Sequence, residues 1–315
     1  MFDTIPLAHD VVRLTFPLPA PLGHVHAYLV RDEDGWTLVD TGLAFPGLAA
    51  SLRRCVASLD APLRRIVVTH FHPDHVGGSG VAAEVTGAPV LQGALDREQC
   101  DAVWGDDGWQ SRLAGWFREH GAPPAVVDGV LEQGSLYAPF IRLAADTTPL
   151  REGDTVAAWT VLDLPGHADG HIGLLRRDGA LVSGDHLLPD ISPNVGLYPR
   201  GRPDPLGDYL RSLRRTVELA PRIVYPGHGE PIEAPAARAR ELIEHHRDRL
   251  DETEAALDGD ARSGYDVSLD LFPADLDGLG RRFALAETLA HLERLVVERR
   301  AARRLSSGVV AYTST

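Results

Sequence analysis

The chain has 315 residues, and a hydrophobic content of 44% supports a full buried core and excludes wholesale disorder. A formal net charge of −14, from 45 acidic residues against 31 lysines and arginines, repels nucleic acid unless a basic face is segregated. Two cysteines, Cys55 and Cys100, are too few for a disulfide framework. The first residues lack the features of a signal peptide and no run reaches the length of a membrane span, so we expect a cytoplasmic protein.

Strands and helices alternate in the N-terminal part of the predicted fold. Strands are expected at 11–18, 27–30, 36–39, 64–69 and 89–91, and helices at 46–59 and 76–85. A turn at 31–35 joins two of these strands into a hairpin. His24 and His26 have a His-x-His spacing, but no carboxylate follows them, so we expect a strand pair near the site entrance.

A short stretch after the strand at 64–69 holds four candidate metal ligands: His70, His72, Asp74 and His75. The stretch lies between a β-branched apolar run and a predicted helix, which is the carboxyl end of a strand, where open α/β sheets place ligands. His70 and His72 alternate with Phe71, so both rings can face one side of an extended turn. Neutral imidazole and carboxylate groups suit zinc, iron or manganese.

The motif His70-Phe71-His72-Pro73-Asp74-His75 resembles the signature of the metallo-β-lactamase-fold hydrolases, a superfamily that includes glyoxalase II and many lactonases and nucleases. The resemblance covers residues from about 10 to about 232 and implies an α/β fold, a four-layer αββα sandwich. It also implies three more ligands on strand-end turns. The sequence contains them in the expected order: His167 in Pro165-Gly166-His167, Asp185 in Ser183-Gly184-Asp185, and His228 in Tyr225-Pro226-Gly227-His228-Gly229.

By this resemblance the ligands hold two metal ions that share one hydroxide. The implied sets are His70, His72 and His167 for the first ion, Asp74, His75 and His228 for the second, and Asp185 as the bridge between both. The implied cofactor is Zn²⁺, two ions per chain, with Fe or Mn as alternatives. Asp74, which also orients the hydroxide, and Asp185 are the expected catalytic residues. Asp40 is expected to support the metal loop through hydrogen bonds or, alternatively, to cap the next helix.

Residues 94–150 depart from the alternation of strands and helices and are mostly helical in pattern. Trp109, Leu113, Trp116 and Phe117 recur at helical spacing and form one apolar face. This face either packs on the core or belongs to a lid that borders the metal pocket and receives an apolar substrate tail. In the lid interpretation, Trp109 and Trp116 bind substrate.

Three predicted segments lie next to His167 and Asp185 in the sequence. A strand at 154–164 leads to His167, and a hairpin of 172–176 and 180–183 leads to Asp185. His171 is expected to support a strand or to lie at the pocket edge, and not to bind metal. His186 is not expected to bind metal either, because successive residues at a strand end point in opposite directions. The loop 187–194 either runs past the metals, with Asn194 and Tyr198 as substrate contacts, or is a solvent loop.

The pattern changes near residue 235, which predicts a catalytic domain at 1–234 and a C-terminal module at 235–315. Helices are expected at 208–219, 236–257, 265–271 and 283–304, and strands at 222–225 and 308–312. Helices closed by a small hairpin indicate a winged-helix-like module, and residues 284–292 resemble the C-terminal extension of a LACTB-like subgroup of these hydrolases. His245 and His246 are expected to be solvated.

Five arginines make the end of this module basic: Arg294, Arg299, Arg300, Arg303 and Arg304. They either complement a helix C-terminus or contact nucleic acid, and the first interpretation is favoured.

The sequence therefore predicts a dinuclear metal-dependent hydrolase. The aromatic insertion and the acidic surface favour an acyl substrate, namely a thioester, a lactone or a related ester. Three alternatives stay open: a phosphodiesterase or ribonuclease with the same centre, a mononuclear iron dioxygenase, and a winged-helix DNA-binding regulator with a vestigial enzyme domain. A small-molecule substrate is the expected partner, nucleic acid and membrane are not expected, and a homodimer is left open.

Overall fold

The computed structural model of the protein describes residues 2–19, 23–106, 108–134, 137–257, 259–306 and 308–315. By its internal contacts the chain divides into two compact units. The first comprises Met1–Asp101, Pro139–Pro193 and Arg215–Ala239, and the second comprises Ala102–Ala138, Asn194–Arg214 and Arg240–Thr315. The second unit therefore takes in chain segments on the N-terminal side of residue 235, and the predicted domain boundary at that residue stays a prediction.

The scaffold of the first unit contains a seven-stranded sheet and a five-stranded sheet. The larger sheet runs in chain order: β1 (Asp3–Pro6), β2 (Val11–Pro17), β3 (His24–Asp32), β4 (Gly35–Val39), β5 (Leu63–Val68), β6 (Val90–Gly93) and β7 (Thr148–Leu150). The smaller sheet has the order β12-β11-β10-β9-β8, with β8 (Thr155–Val156), β9 (Trp159–Asp163), β10 (Ile172–Arg176), β11 (Ala180–Gly184) and β12 (Ile223–Pro226).

Buried apolar side chains from the two sheets form one core. Val39 and Val67 of the larger sheet pack in the same cluster as Trp159, Leu174 and Val182 of the smaller sheet. Strands β4, β5 and β6 pair in parallel, and β4 is buried along its whole length, as expected for a strand covered on both faces. This packing brings the carboxyl ends of neighbouring strands to one edge, where the loops between strands and helices gather.

The helices of the N-terminal part are α1 (Leu48–Ala57), α2 (Pro73–Val76), α3 (Ser79–Thr86) and α4 (Ala94–Trp104). The predicted helix at 76–85 is wrong in extent, because Gly77 and Gly78 separate α2 from α3. A Cβ atom at Gly78 would lie 2.6 Å from the carbonyl oxygen of Thr41, so the chain there runs against its neighbour. The predicted strand at 154–164 is a tight hairpin of β8 and β9, which turns where Ala157 adopts a φ of 53°.

The second unit contains helices and a small antiparallel sheet. The remaining elements of the chain are α5 (Trp109–Glu119), α6 (Pro124–Gly134), a 3₁₀ helix (Ala138–Phe140), α7 (Pro205–Leu219), α8 (Pro235–Ala255), α9 (Gly264–Leu271), α10 (Gly278–Val297), β13 (Arg262–Ser263), β14 (Ala301–Ser306) and β15 (Val309–Ser314). Helices α6 and α9 pack against α10, and the sheet order is β13-β15-β14. None of the described helices combines the length and the apolar character that crossing a bilayer requires.

The predicted helix at 283–304 is wrong at its C-terminal end. Helix α10 ends at Val297, and Arg299 takes a φ of 60°, which turns the chain into β14. Arg303 and Arg304 therefore lie on a strand and cannot complement a helix terminus. Arg294 pairs with Asp204 at 2.9 Å, and Arg300 contacts the carboxylates of Asp251 and Glu254. These contacts neutralise part of the predicted basic surface.

The expectation of a solvated His246 is also wrong. His246 is fully buried in the second unit, where its Nδ1 lies 3.3 Å from Nε2 of His291 and its ring meets Tyr209 edge-on. Burial, with help from His291 and His245, lowers the pKa of His246 to about 2, so the imidazole is neutral at physiological pH. His245 is exposed, as predicted. The sequence of α8 is mostly charged, so it did not indicate that His246 is buried. Only residues spaced by about one helical turn face the interior, and His246 is one of them.

Candidate metal centre

Loops at the carboxyl ends of strands carry the seven predicted ligands, all within the first unit. His70 and His72 follow β5, and α2 presents Asp74 and His75. The other three follow strands of the smaller sheet: His167 after β9, Asp185 after β11 and His228 after β12. The donor atoms fall into three groups, and within each group they lie within 4.8 Å of one another: His70, His72 and His167; His70, His75 and Asp185; Asp74, His75 and His228.

The carboxylate of Asp185 lies between the first and the last of these groups. Its Oδ2 is 3.6 Å from Nε2 of His167 and 3.3 Å from Nε2 of His228, and its Oδ1 is 3.3 Å from Nε2 of His75. A single carboxylate thus approaches histidines that the resemblance assigns to different metal ions. The arrangement is consistent with a carboxylate that two metal ions share.

Buried hydrogen bonds orient the two innermost histidines. Asp40 accepts from Nδ1 of His75 at 2.8 Å, and it accepts from both the backbone N–H and the hydroxyl of Thr69, each at 2.8 Å. The hydroxyl of Thr69 in turn lies 3.0 Å from Nδ1 of His70. Because Nδ1 is engaged in both rings, Nε2 of His70 and of His75 is the atom available to a metal. Asp40 thus contacts the metal loop through hydrogen bonds.

Other contacts at the centre involve residues that sequence reasoning assigned no such role. Nδ1 of His228 donates to the backbone carbonyl of His24 at 2.6 Å. A backbone carbonyl is common to every residue type, so no sequence signal could have identified this partner. Nε2 of His171 accepts from the backbone N–H of Asp185 at 3.2 Å, and its ring stacks on His70. Nε2 of His186 lies 2.8 Å from the hydroxyl of Thr216, and His186 is in none of the three donor groups.

The donor set fits divalent metal ions on two observations. First, Nε2 of His75 and Oδ1 of Asp185 are buried, and although they lie 3.3 Å apart neither makes a well-directed hydrogen bond to the other or to any other described residue, which is unusual for buried polar atoms outside a ligand site. Second, the charges favour cations. Although burial opposes it, the carboxylates of Asp185 and Asp74 raise the pKa of His228 to about 10. Without metal, His228 would therefore be protonated at neutral pH, and a bound metal ion would replace this proton.

Exposure differs across the centre and defines its open side. His70 and His75 are fully buried, whereas His72, Asp74 and His167 are partly exposed. Burial, together with neighbouring histidines, holds the pKa of His70 well below its usual value, so this ring is a neutral donor. A substrate would therefore approach from the side of His72 and Asp74.

The four predicted substrate contacts all belong to the second unit. Trp109 is buried in α5, and Trp116 is half-buried with its ring 4.5 Å from that of His120. Asn194 donates to Glu287 at 2.9 Å, and the Tyr198 ring lies 5.4 Å from the guanidinium of Arg282. The roles of these residues in substrate binding, and of residues 94–150 as a lid, stay predictions.

The sandwich fold and the histidine and aspartate cluster together define a metal-dependent hydrolase. A sequence model of the family described as "Metallo-beta-lactamase superfamily" matches residues 20–228, and one described as "Metallo-beta-lactamase-like, C-terminal domain" matches residues 250–315. The chain belongs to the metallo-β-lactamase superfamily, and the predicted fold class is confirmed.

Two relatives match this chain over almost its whole length, and a third matches about two thirds of it or more. The "Probable metallo-hydrolase YqjP" of Bacillus subtilis is 33% identical over 303 residues, which cover 92% of this chain and 93% of that protein. The metallo-beta-lactamase family protein TTHA1429 from Thermus thermophilus, whose crystal structure is known, is 35% identical in sequence. Its structure matches with a TM-score of 0.85 over 97% of this chain and 99% of that chain. TTHA1623, solved in a di-iron-bound form, is 29% identical with a TM-score of 0.50, covering 71% of this chain and 97% of that chain.

Gly227 provides a steric test of the centre. A Cβ atom at this position would lie 2.1 Å from Oδ1 of Asp185 and 2.7 Å from Cε1 of His75. Gly227→Ala is therefore expected to displace Asp185, reduce bound metal and cost about 1–3 kcal/mol of stability. The measurements are metal content and thermal unfolding.

The matched control is Gly115→Ala in α5, where an added Cβ meets no heavy atom of the described residues within 4 Å. This change should keep full metal content and leave the protein as stable or slightly more stable. Full metal content in Gly227→Ala would contradict the assignment of Asp185 as a metal ligand that lies against Gly227.

Proposed function

We propose that the protein is a dinuclear metal-dependent hydrolase that acts on an acyl substrate, namely a thioester, a lactone or a related ester. The observation that carries the proposal is the position of Asp185 between the two histidine groups. The first ion would be held by His70, His72 and His167, and the second by Asp74, His75 and His228, with Asp185 shared. Zn²⁺ fits these donors, and Fe or Mn ions are alternatives.

When bound, the two ions would lower the pKa of a water molecule towards about 7 and polarise the carbonyl oxygen of the substrate. The protein supplies orientation. Asp40 and Thr69 engage Nδ1 of His75 and of His70, which leaves Nε2 of each ring for a metal ion. Asp74, at the partly exposed side with Oδ2 3.5 Å from Nε2 of His228, would accept a hydrogen bond from the attacking water and direct it to the substrate.

An apolar cavity supports the choice of an acyl substrate. It has a volume of about 380 Å³ and lies within the first unit, between the end of β2 and the segment that follows β4. Phe16, Leu18, Leu43, Phe45 and Leu48 are among the side chains that line it. Each wall of the cavity is connected to a residue that supports a ligand. Leu43 lies shortly after Asp40 in the sequence, and Pro17 pairs across the sheet with His24, whose carbonyl accepts a hydrogen bond from His228.

A substrate panel tests the proposal. The enzyme loaded separately with Zn²⁺, Fe²⁺ and Mn²⁺ is assayed on acyl thioesters of increasing chain length, lactones, β-lactams and phosphodiesters. We expect acyl esters to be hydrolysed, with kcat/KM rising about fourfold per added methylene while the chain fills the cavity, since each buried methylene contributes about 0.8 kcal/mol. Cleavage of phosphodiesters alone would reject the acyl assignment and support the phosphodiesterase alternative.

A further inference from the structure

A buried carboxylate outside the ligand set contacts the metal loop. Asp96, in the first turn of α4, is fully buried, and its Oδ1 accepts from the backbone N–H of Phe71 at 2.9 Å. Phe71 separates His70 from His72, so this bond holds the peptide that links two ligands. The other oxygen, Oδ2, accepts from the side-chain amide of Gln92 at 2.6 Å. Gln92 also donates to Sγ of Cys100 and is itself buried on β6.

The same helix contacts the loop that carries the third histidine. Oε1 of Gln99 accepts from the backbone N–H of Gly170 at 3.1 Å. Gly170 also packs directly on the first turn of α4, since a Cβ atom there would lie 2.2 Å from the backbone nitrogen of Asp96. Helix α4 thus contacts, through Asp96 and Gln99, the two loops that supply His70, His72 and His167.

The burial of the Asp96 carboxylate has an energetic cost that its two hydrogen bonds offset only in part. A carboxylate removed from water loses hydration that two neutral donors replace only in part, and burial raises the pKa of Asp96 well above its usual value despite the bonds from Gln92 and Phe71. Among the described residues, the contacts of Asp96 join the metal loop to α4 and β6. A displacement of the Asp96 side chain would therefore also displace the backbone that carries His70 and His72.

We propose that Asp96 is a positioning residue of the metal centre, which with Gln99 holds the loops of His70, His72 and His167 at the spacing that the first metal ion requires. The inference rests on the proposed function only in that this centre binds metal. Asp96 touches neither the ligand atoms nor the reacting groups, and it acts through the backbone of Phe71.

The test compares Asp96→Ala and Asp96→Asn with Glu98→Ala, an exposed acid on the same helix, as the control. Amide hydrogen exchange of Phe71 is measured in the metal-free full-length protein, and Co²⁺ affinity and the visible Co²⁺ spectrum are measured in the loaded protein. Asp96→Ala should speed exchange at Phe71 by about tenfold or more, weaken Co²⁺ binding about 10- to 100-fold and alter the spectrum. Asp96→Asn, which keeps an acceptor for Phe71, should recover most of each loss, and Glu98→Ala should match the wild type.

Wild-type exchange, affinity and spectrum in Asp96→Ala would overturn the inference, as would equal impairment of the alanine and asparagine variants. If Asp96→Ala does not fold, Gln99→Ala replaces it, with faster exchange at Gly170 as the expected result and unchanged exchange as the contrary one. A wild-type protein that binds no Co²⁺ would reject the metal centre itself, whereas the exchange measurement on metal-free protein would still decide the role of Asp96.

Discussion

His72→Ala is expected to remove one equivalent of bound metal and to lower kcat by at least about 1,000-fold, which corresponds to about 4 kcal/mol of transition-state stabilisation. Nδ1 of His72 lies 3.1 Å from Nε2 of His70, and its ring lies 4.5 Å from the ring of His167. Two imidazoles and a carboxylate that the second ion also shares would remain on that side, so the first ion would be held more weakly and should be lost from the purified protein. Elemental analysis and kcat on the best substrate of the panel measure the effect.

His245→Ala is the control for this experiment, because it removes an exposed imidazole from α8 in the second unit. Its metal content and kcat should equal those of the wild type. If His72→Ala keeps both metal equivalents and its rate, the assignment of the centre is wrong. If it loses metal while the rate survives, the reaction does not depend on the first ion.

Asp40→Asn is expected to weaken metal binding about 10- to 100-fold, or about 1.4–2.7 kcal/mol, and to reduce kcat in parallel. The carboxylate of Asp40 accepts three hydrogen bonds, from Nδ1 of His75 and from the backbone and hydroxyl of Thr69. An asparagine would direct an N–H group at one of these donors, so the ring of His75 or the hydroxyl that supports His70 would lose its partner. Metal titration of the purified apoprotein gives the affinity.

The backbone at this position allows a clean comparison. Asp40 has a φ of 64°, in the left-handed region that asparagine tolerates as well as aspartate, so the substitution adds no strain there. Asp10 has a φ of 55° and an exposed side chain, which makes Asp10→Asn a control with the same backbone and no contact to the centre. Unchanged metal affinity in Asp40→Asn would show that these hydrogen bonds do not position the ligands.

Local patterns predicted the elements that carry the centre. The apolar run of β5 followed by His70 and His72, and the hairpin that leads to Asp185, lie where the sequence places them. Each of these features depends on residues adjacent in the chain, so the signal is contained in a short window. Two of the errors in element boundaries fall where a single residue changes the backbone direction, at Ala157 and Arg299, which both have a positive φ although neither is a glycine.

The sequence by itself determined the chemistry of the centre: which donors are present, in what order, and on which strand ends. Only the tertiary structure decided what surrounds them. It brought the carbonyl of His24 to His228 and Asp96 to the peptide of Phe71, and it showed that Asp40, expected to support the metal loop, contacts His75 and Thr69. It also buried His246 on a helix of charged sequence. These contacts join residues distant in the chain, and they depend on the packing of whole elements, which no local pattern of side chains encodes.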